Sequence, residues 1–287
     1  MLDELIRKTI REMVGGSSGP PVAFLTPQGD RGLFGPESIA WRVHADFVSM
    51  MIGGISSLVL QALHPQALAG VWDHSSFRKD LKGRLGRTAY FIAATTYGSH
   101  QMAHEIIEKV NRIHQHIHGS DEFGKPYIAT DPHLLAWVHL TETLSFLEAY
   151  QNYRYPKLTR QEQDQYFKEM KTLGEMLGAQ NLPDTLQGTQ EAIESYLPEL
   201  HYGERAQSII QLLDDFPSNI QSKPFVKLIS KAGFINLPSW AHTKLKKPVP
   251  STLEKILVNK SIDLIAIPIR DALKDGVAAH SLRRVYG

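Results

Sequence analysis

The chain carries 13 histidines and no cysteine, so chemistry at a metal centre would fall to imidazole, carboxylate and hydroxyl groups. Five of the histidines, at 100, 104, 114, 116 and 118, share one segment. Its apolar residues Ala103, Ile106, Ile107, Val110, Ile113 and Ile117 recur every three or four positions, the spacing of an amphipathic helix. His114 falls inside that stripe. His116 lines up instead with Glu105, Lys109 and Arg112 on the polar face, and His118 abuts Gly119, a helix terminator. His114 is therefore the imidazole aimed at the interior, either as a buried histidine held by hydrogen bonds or as a metal ligand. The pairs His100/His104 and His114/His118 each have the i, i+4 spacing that presents two imidazoles to one ion. They are centred 14 residues apart, roughly 21 Å along a straight helix, and cannot share a metal. His104-Glu105-Ile106-Ile107-Glu108 ends in Glu where the zinc-protease motif needs His.

Arg84, Arg87 and Thr88 form a second constellation. Helical spacing of i, i+3 and i+4 puts two guanidinium groups and a hydroxyl on one face. Such a face either binds an anionic group and stabilises negative charge developing at oxygen, or makes ordinary surface ion pairs. His64, Asp73, His74 and Ser75 lie just upstream. Pro65 is expected to end the apolar helix before it, leaving His64 at a helix C-terminus, where the dipole favours an imidazole. Asp73 and Ser75 are good N-cap residues for whatever follows. His139 shares a helix face with Leu135, Glu142 and Phe146, a less uniformly apolar setting than that of His114. No carboxylate stands out by position as a catalytic base.

The elements that must position these groups are helical. Residues 3–14 have helical spacing and are stopped by Gly15-Gly16-Ser17-Ser18-Gly19-Pro20-Pro21. Residues 22–36 read as an extended lead-in, followed by helices over 37–63, 84–118 with an interruption near Gly98, and 132–153. Asp131-Pro132 is a start signal, Asp as N-cap and Pro at the first helical position, and Thr159-Arg160-Gln161-Glu162 matches a capping box. Later helices are expected over 185–197, 203–214, 223–232 and 252–275, with Lys244–Ser251 as a linker to a C-terminal helical pair. No stretch has sustained strand alternation, and no internal repeat is visible. The fold class is all-α.

At 287 residues and 42% hydrophobic content, the chain can bury a substantial core. A net charge of +1 gives no electrostatic case for nucleic acid. The absence of cysteine removes disulfides, iron–sulfur clusters, thiolate haem ligation and covalent haem attachment, and fits a cytoplasmic protein. The charged N-terminus is not a secretory signal. Phe47–Leu63 is uncharged. It sits at the short limit of roughly 17 to 25 residues for a membrane span and reads as a buried helix. Gly15-Gly16-Ser17-Ser18-Gly19 fits the G-x-S-x-G string, but no parallel-sheet pattern is there to make it a nucleophile elbow. G-x-G-x-x-G and P-loop signatures are absent, which leaves hydrolase and nucleotide chemistry without support.

The order Ala62-Leu63-His64-Pro65, Asp73-His74-Ser75-Ser76-Phe77, Arg84-Leu85-Gly86-Arg87-Thr88, Arg112-Ile113-His114 and Trp137-Val138-His139 resembles the catalytic domain shared by rubber oxygenases and the side-chain-cleaving oxygenases of mycophenolic acid biosynthesis. The resemblance covers about residues 35–200 and fades over the last third. It implies a single globin-like, all-α domain over 1–287, with a catalytic core at about 35–200 and a C-terminal helical extension at about 201–287. It also implies haem b with His114 as iron ligand, and Arg84, Arg87 and Thr88 on the oxygen side. His64, His74 and His139 would stand by the cofactor, His139 being the runner-up ligand. The implied reaction adds O₂ across a carbon–carbon double bond of an apolar, isoprenoid-like substrate and cleaves it to carbonyl products. The competing class is a non-catalytic helical protein that binds haem or an apolar ligand. Rubber oxygenases have Lys, able to cap the iron, where this chain has Arg87. Arginine stays protonated and does not ligate iron, so the distal side is open, water-bound or capped by another group.

Overall fold

A computed structural model describes residues 4, 6–8, 10, 22–75, 80–214 and 223–287. Of the N-terminal helix expected over 3–14, residues 4, 6–8 and 10 are helical and the rest lie outside the described residues. Ser76 and Phe77 of the histidine-bearing pattern also lie outside them.

Helix α1 (Ile39–His44) starts on Ser38, whose hydroxyl accepts from the Trp41 N–H. Its next free N–H groups, on Ile39 and Ala40, are taken by the Glu169 carboxylate at 3.2 and 2.8 Å, so a helix far along the chain completes the cap. The helix expected over 37–63 is broken at Ala45-Asp46, because Asp46 accepts from the Ser49 N–H and caps a fresh helix, α2 (Phe47–Ala62). After Leu63 the chain turns by 106° into α3 (Pro65–His74). No single described helix is long and apolar enough to cross a membrane.

Helices α4 (Leu81–Tyr97) and α5 (His100–His114) flank the expected break at Gly98, with Ser99 capping α5. A short antiparallel hairpin follows, β1 (His118–Ser120) with β2 (Pro126–Ile128), in the register His118↔Ile128. Helix α6 (Pro132–Tyr153) begins at the expected Asp131-Pro132 signal and is apolar around most of its circumference, which makes it the central element. Against it lies α7 (Arg160–Met176), closed at its start by the Thr159/Glu162 capping box. The rest are α8 (Leu186–Ser195), a 3₁₀ turn (Leu197–Glu199), α9 (Glu204–Asp214), α10 (Lys223–Ile235), α11 (Ser239–Lys244), α12 (Thr252–Ala272) and α13 (Val277–Tyr286).

Helices α2 and α6 pack backbone to backbone. A Cβ at Gly53 would meet the Phe146 ring at 2.7 Å and the Ser145 carbonyl at 2.9 Å, so only glycine permits the approach. One contiguous buried cluster runs from Ile52 and Val59 through Trp137 and Leu147 to Ile262 and Ile269, and therefore includes the C-terminal helices. Two arginines pin those helices. Arg270 of α12 donates to both oxygens of Asp46 at 2.6 and 3.0 Å, and to the Tyr153 carbonyl at 2.8 Å. Arg284 of α13, with no exposed surface, donates to the carbonyls of Asp30, Phe24 and Gly98 at 2.9, 3.2 and 3.1 Å.

Candidate active-site cavity

A cavity of about 1640 Å³ opens between α2, α4, α5 and α6, above the range of roughly 300–1,000 Å³ usual for small-molecule sites. Its lining is mainly apolar, with Leu58, Phe91, Val110, Leu135, Val138 and Phe146 among the wall residues. Arg84, Arg87, Thr88, His74, His114 and His139, separated by up to 65 positions, all stand on this wall.

His114 ends α5, and its half-buried imidazole faces the cavity. Its Nδ1 is enclosed and has no hydrogen-bond partner, although buried polar groups in folded proteins nearly always have one. Burial lowers its pKa, so the ring is neutral at pH 7, the form that ligates a metal. His139 is deeper. Burial pushes its pKa down to about 4, against an opposing bond to the Met170 backbone. Its Nε2 stands 3.5 Å from the Thr143 hydroxyl. The ring rests on Gly174, where a Cβ would come within 2.7 Å of it. His139 thus has protein partners, and His114 has none among the described residues.

On α4, the half-buried Arg84 donates to the Ser75 hydroxyl at 2.8 Å. Burial and the neighbouring Arg87 both lower its pKa, and no described carboxylate balances its charge. Arg87 and Thr88 are exposed into the opening, and Arg87 lies 3.7 Å from Asp80. His74 donates from Nε2 to the His118 carbonyl at 3.1 Å. Asp73 and Ser75 are not N-caps as expected: Asp73 lies inside α3, and Ser75 follows its last residue. Ser75 instead positions Arg84, while Asp73 receives the Tyr127 hydroxyl at 3.4 Å and stands 3.6 Å from Arg205.

His64 lies elsewhere. It caps the start of α3 instead of closing α2, because Pro65 occupies the first position of a new helix. It is absent from the cavity lining, is 1% exposed, and faces Glu199 and His133.

Two wall residues escaped the sequence reading. Glu142 of α6 lies one turn from both His139 and Phe146 and faces the cavity. It has no hydrogen-bond partner among the described residues, and burial raises its pKa to about 7. An acid in the middle of an apolar helix, on the face of a buried histidine, was the available signal. His44 of α1 is the other. Its Nδ1 meets the Thr96 hydroxyl at 2.8 Å and its Nε2 the Tyr166 hydroxyl at 3.0 Å, so both nitrogens are occupied. Burial takes its pKa to about 3.

Fold and site together define a class: an all-α protein built around a large apolar cavity whose wall carries an imidazole and a carboxyl group without partners among the described residues, and a guanidinium without a described counter-charge. The family described as ER-bound oxygenase mpaB/B′/rubber oxygenase, catalytic domain, matches residues 41–265, and the chain belongs to that family. The match runs past the limit near residue 200 that the motifs alone suggested. No curated protein and no solved structure matches the chain. Membership places the protein among oxygenases, which act with O₂ on small molecules.

Proposed function

We infer that the protein is a haem b-dependent oxygenase acting on an apolar, unsaturated, isoprenoid-like substrate, with His114 as iron ligand. The observation that carries the reading is the His114 imidazole, neutral, facing a large apolar cavity, its enclosed Nδ1 without a partner among the described residues. The donor set suits the cofactor in three respects. The candidate ligand is an imidazole in a cavity without thiolate donors. The cavity is large enough to take a macrocycle beside a hydrocarbon chain. Arg84, lacking a carboxylate partner, matches a propionate.

Bound haem would supply a redox-active iron for O₂ activation, which no side chain supplies alone. The chain's own groups do the rest. Arg84 offsets a carboxylate, and Ser75 holds its guanidinium in place. Thr88 and Arg87 line the same cavity and would offer a hydroxyl and a fixed positive charge to oxygen that gains negative charge there. Glu142 titrates near neutrality, so its carboxyl oxygen can give or take a proton at working pH. The apolar wall excludes water and holds the substrate by area alone, which suits a molecule with few polar handles. The overall conversion adds one O₂ across one carbon–carbon double bond and leaves two carbonyl groups, so atoms and electrons balance.

Protein purified from haem-supplemented cells is expected to show a Soret band and a b-type pyridine spectrum. With an unsaturated terpenoid it should consume one O₂ per double bond cleaved. A colourless protein that haemin does not reconstitute would overturn the reading. Haem binding without oxygen consumption would leave a binder instead of an oxygenase.

A further inference from the structure

His64, His133 and Glu199 converge outside the cavity, where three separate elements meet. His64 stands at the bend between α2 and α3, His133 in the first turn of α6, and Glu199 at the end of the 3₁₀ turn. The His133 Nε2 lies 2.9 Å from Glu199 Oε1, and the His64 Nε2 lies 3.4 Å from Glu199 Oε2. All three ligand atoms fall within 4.8 Å of one another. Ligands at 2.0–2.2 Å around a tetrahedral zinc ion stand about 3.3–3.6 Å apart, so the set needs only slight adjustment to share one ion.

A second observation points the same way. His64 is 1% exposed, and neither ring nitrogen makes a hydrogen bond; its contact with Glu199 is close enough for an ion pair but lacks hydrogen-bond geometry. A buried imidazole without a bond is costly unless something else takes the lone pair. The neighbours hold the rings without competing for them. Tyr196 stacks on His133 at 4.4 Å, and its hydroxyl donates to the His133 carbonyl. The turn carrying Glu199 is fixed from two sides: the Lys244 ammonium donates to the Leu197 and Leu200 carbonyls, and the His201 N–H donates to the Leu63 carbonyl. His133 and Glu199 remain partly exposed, which gives an ion a way in.

We propose that His64, His133 and Glu199 form a binding site for one divalent transition-metal ion of the zinc class. Two imidazoles and one carboxylate leave a fourth position open to water. The ion ties the bend after α2, the start of α6 and the 197–199 turn together. The proposal is independent of the haem reading, since these residues lie off the cavity wall.

Zinc titration of the full-length, chelator-stripped protein by calorimetry, with thermal unfolding in parallel, tests it. The expected result is one equivalent bound and a rise in Tm. His133→Ala and Glu199→Gln, both at partly exposed positions, should each weaken binding at least 100-fold and remove the rise. His104→Ala, which breaks the surface pair with His100, should leave both unchanged. No zinc binding below millimolar concentration would overturn the site. So would binding that survives both site variants, or binding that disappears with His104→Ala.

Discussion

Buried polar groups behave in opposite ways at two places in this molecule. In the clamps that hold the C-terminal helices, every buried charge is answered: Asp46 by Arg270, and the Arg284 guanidinium by three backbone carbonyls. On the cavity wall the groups are left open: among the described residues His114 and Glu142 have no partner, and Arg84 has a hydroxyl but no counter-charge. The contrast extends to single residue types, since His44 on the same wall has both nitrogens bonded, whereas the enclosed Nδ1 of His114 has no partner among the described residues. Satisfied polarity fastens elements together. Unsatisfied polarity facing a void awaits a ligand, because the fold gains nothing from leaving it bare.

The clamps should show the largest effects on stability. Arg284→Met leaves three buried carbonyls without a donor, and Asp46→Ala leaves Arg270 uncompensated. Each is expected to cost about 3–5 kcal/mol in denaturant unfolding. Burial alone would raise the Asp46 carboxyl, but Arg270 and Ser49 outweigh it and hold its pKa below the ordinary carboxylate range. Its contribution is therefore present at neutral pH and is lost as the solution is acidified through that lowered pKa. A loss below 1 kcal/mol in both variants would erase the contrast.

Glu142 gives the next effect, with the opposite sign. Its pKa is raised to about 7, so the folded state holds its proton where the unfolded chain has released it. Stability falls as pH rises from the unfolded value through about 7. Glu142→Gln should therefore stabilise the protein at pH 8, by at most about 3 kcal/mol, and leave it unchanged near pH 4. Turnover should lose the ionisation near neutrality in the same variant. A wild-type pH profile flat between 5 and 9 would remove Glu142 from the chemistry.

Gly174→Ala presses a methyl group against His139 and Leu182 and should cost about 1–3 kcal/mol. Arg87→Ala acts at an exposed position with an ion pair to Asp80 and should change stability by less than about 1 kcal/mol, while lowering turnover. Equal losses of stability at positions 87 and 284 would show that the wall and the clamps are built alike.

The sequence disclosed what local chemistry decides. Asp131-Pro132 and the Thr159 capping box mark helix starts that hold in the structure. His114, inside the apolar stripe, is half-buried and lines the cavity, while Ile113 of the same stripe is exposed. Signals with two meanings misled. Pro65 reads as a helix stop but opens α3, and Asp46, inside an apolar run, caps a new helix. The hairpin was invisible because its three-residue strands are too short for alternation to register. Contacts between distant positions left no local trace: His133 meets Glu199 across 66 residues, and Arg284 reaches Phe24 across 260. Glu142 needed the fold to show that its helix face borders a void and not plain core.

Haemin titration of the purified protein, followed by absorbance, tests the central claim most directly. Wild type should saturate at one equivalent with a Soret band, His139→Ala should retain that band, and His114→Ala should lose tight binding. Full occupancy with an unchanged Soret band in His114→Ala would contradict the account.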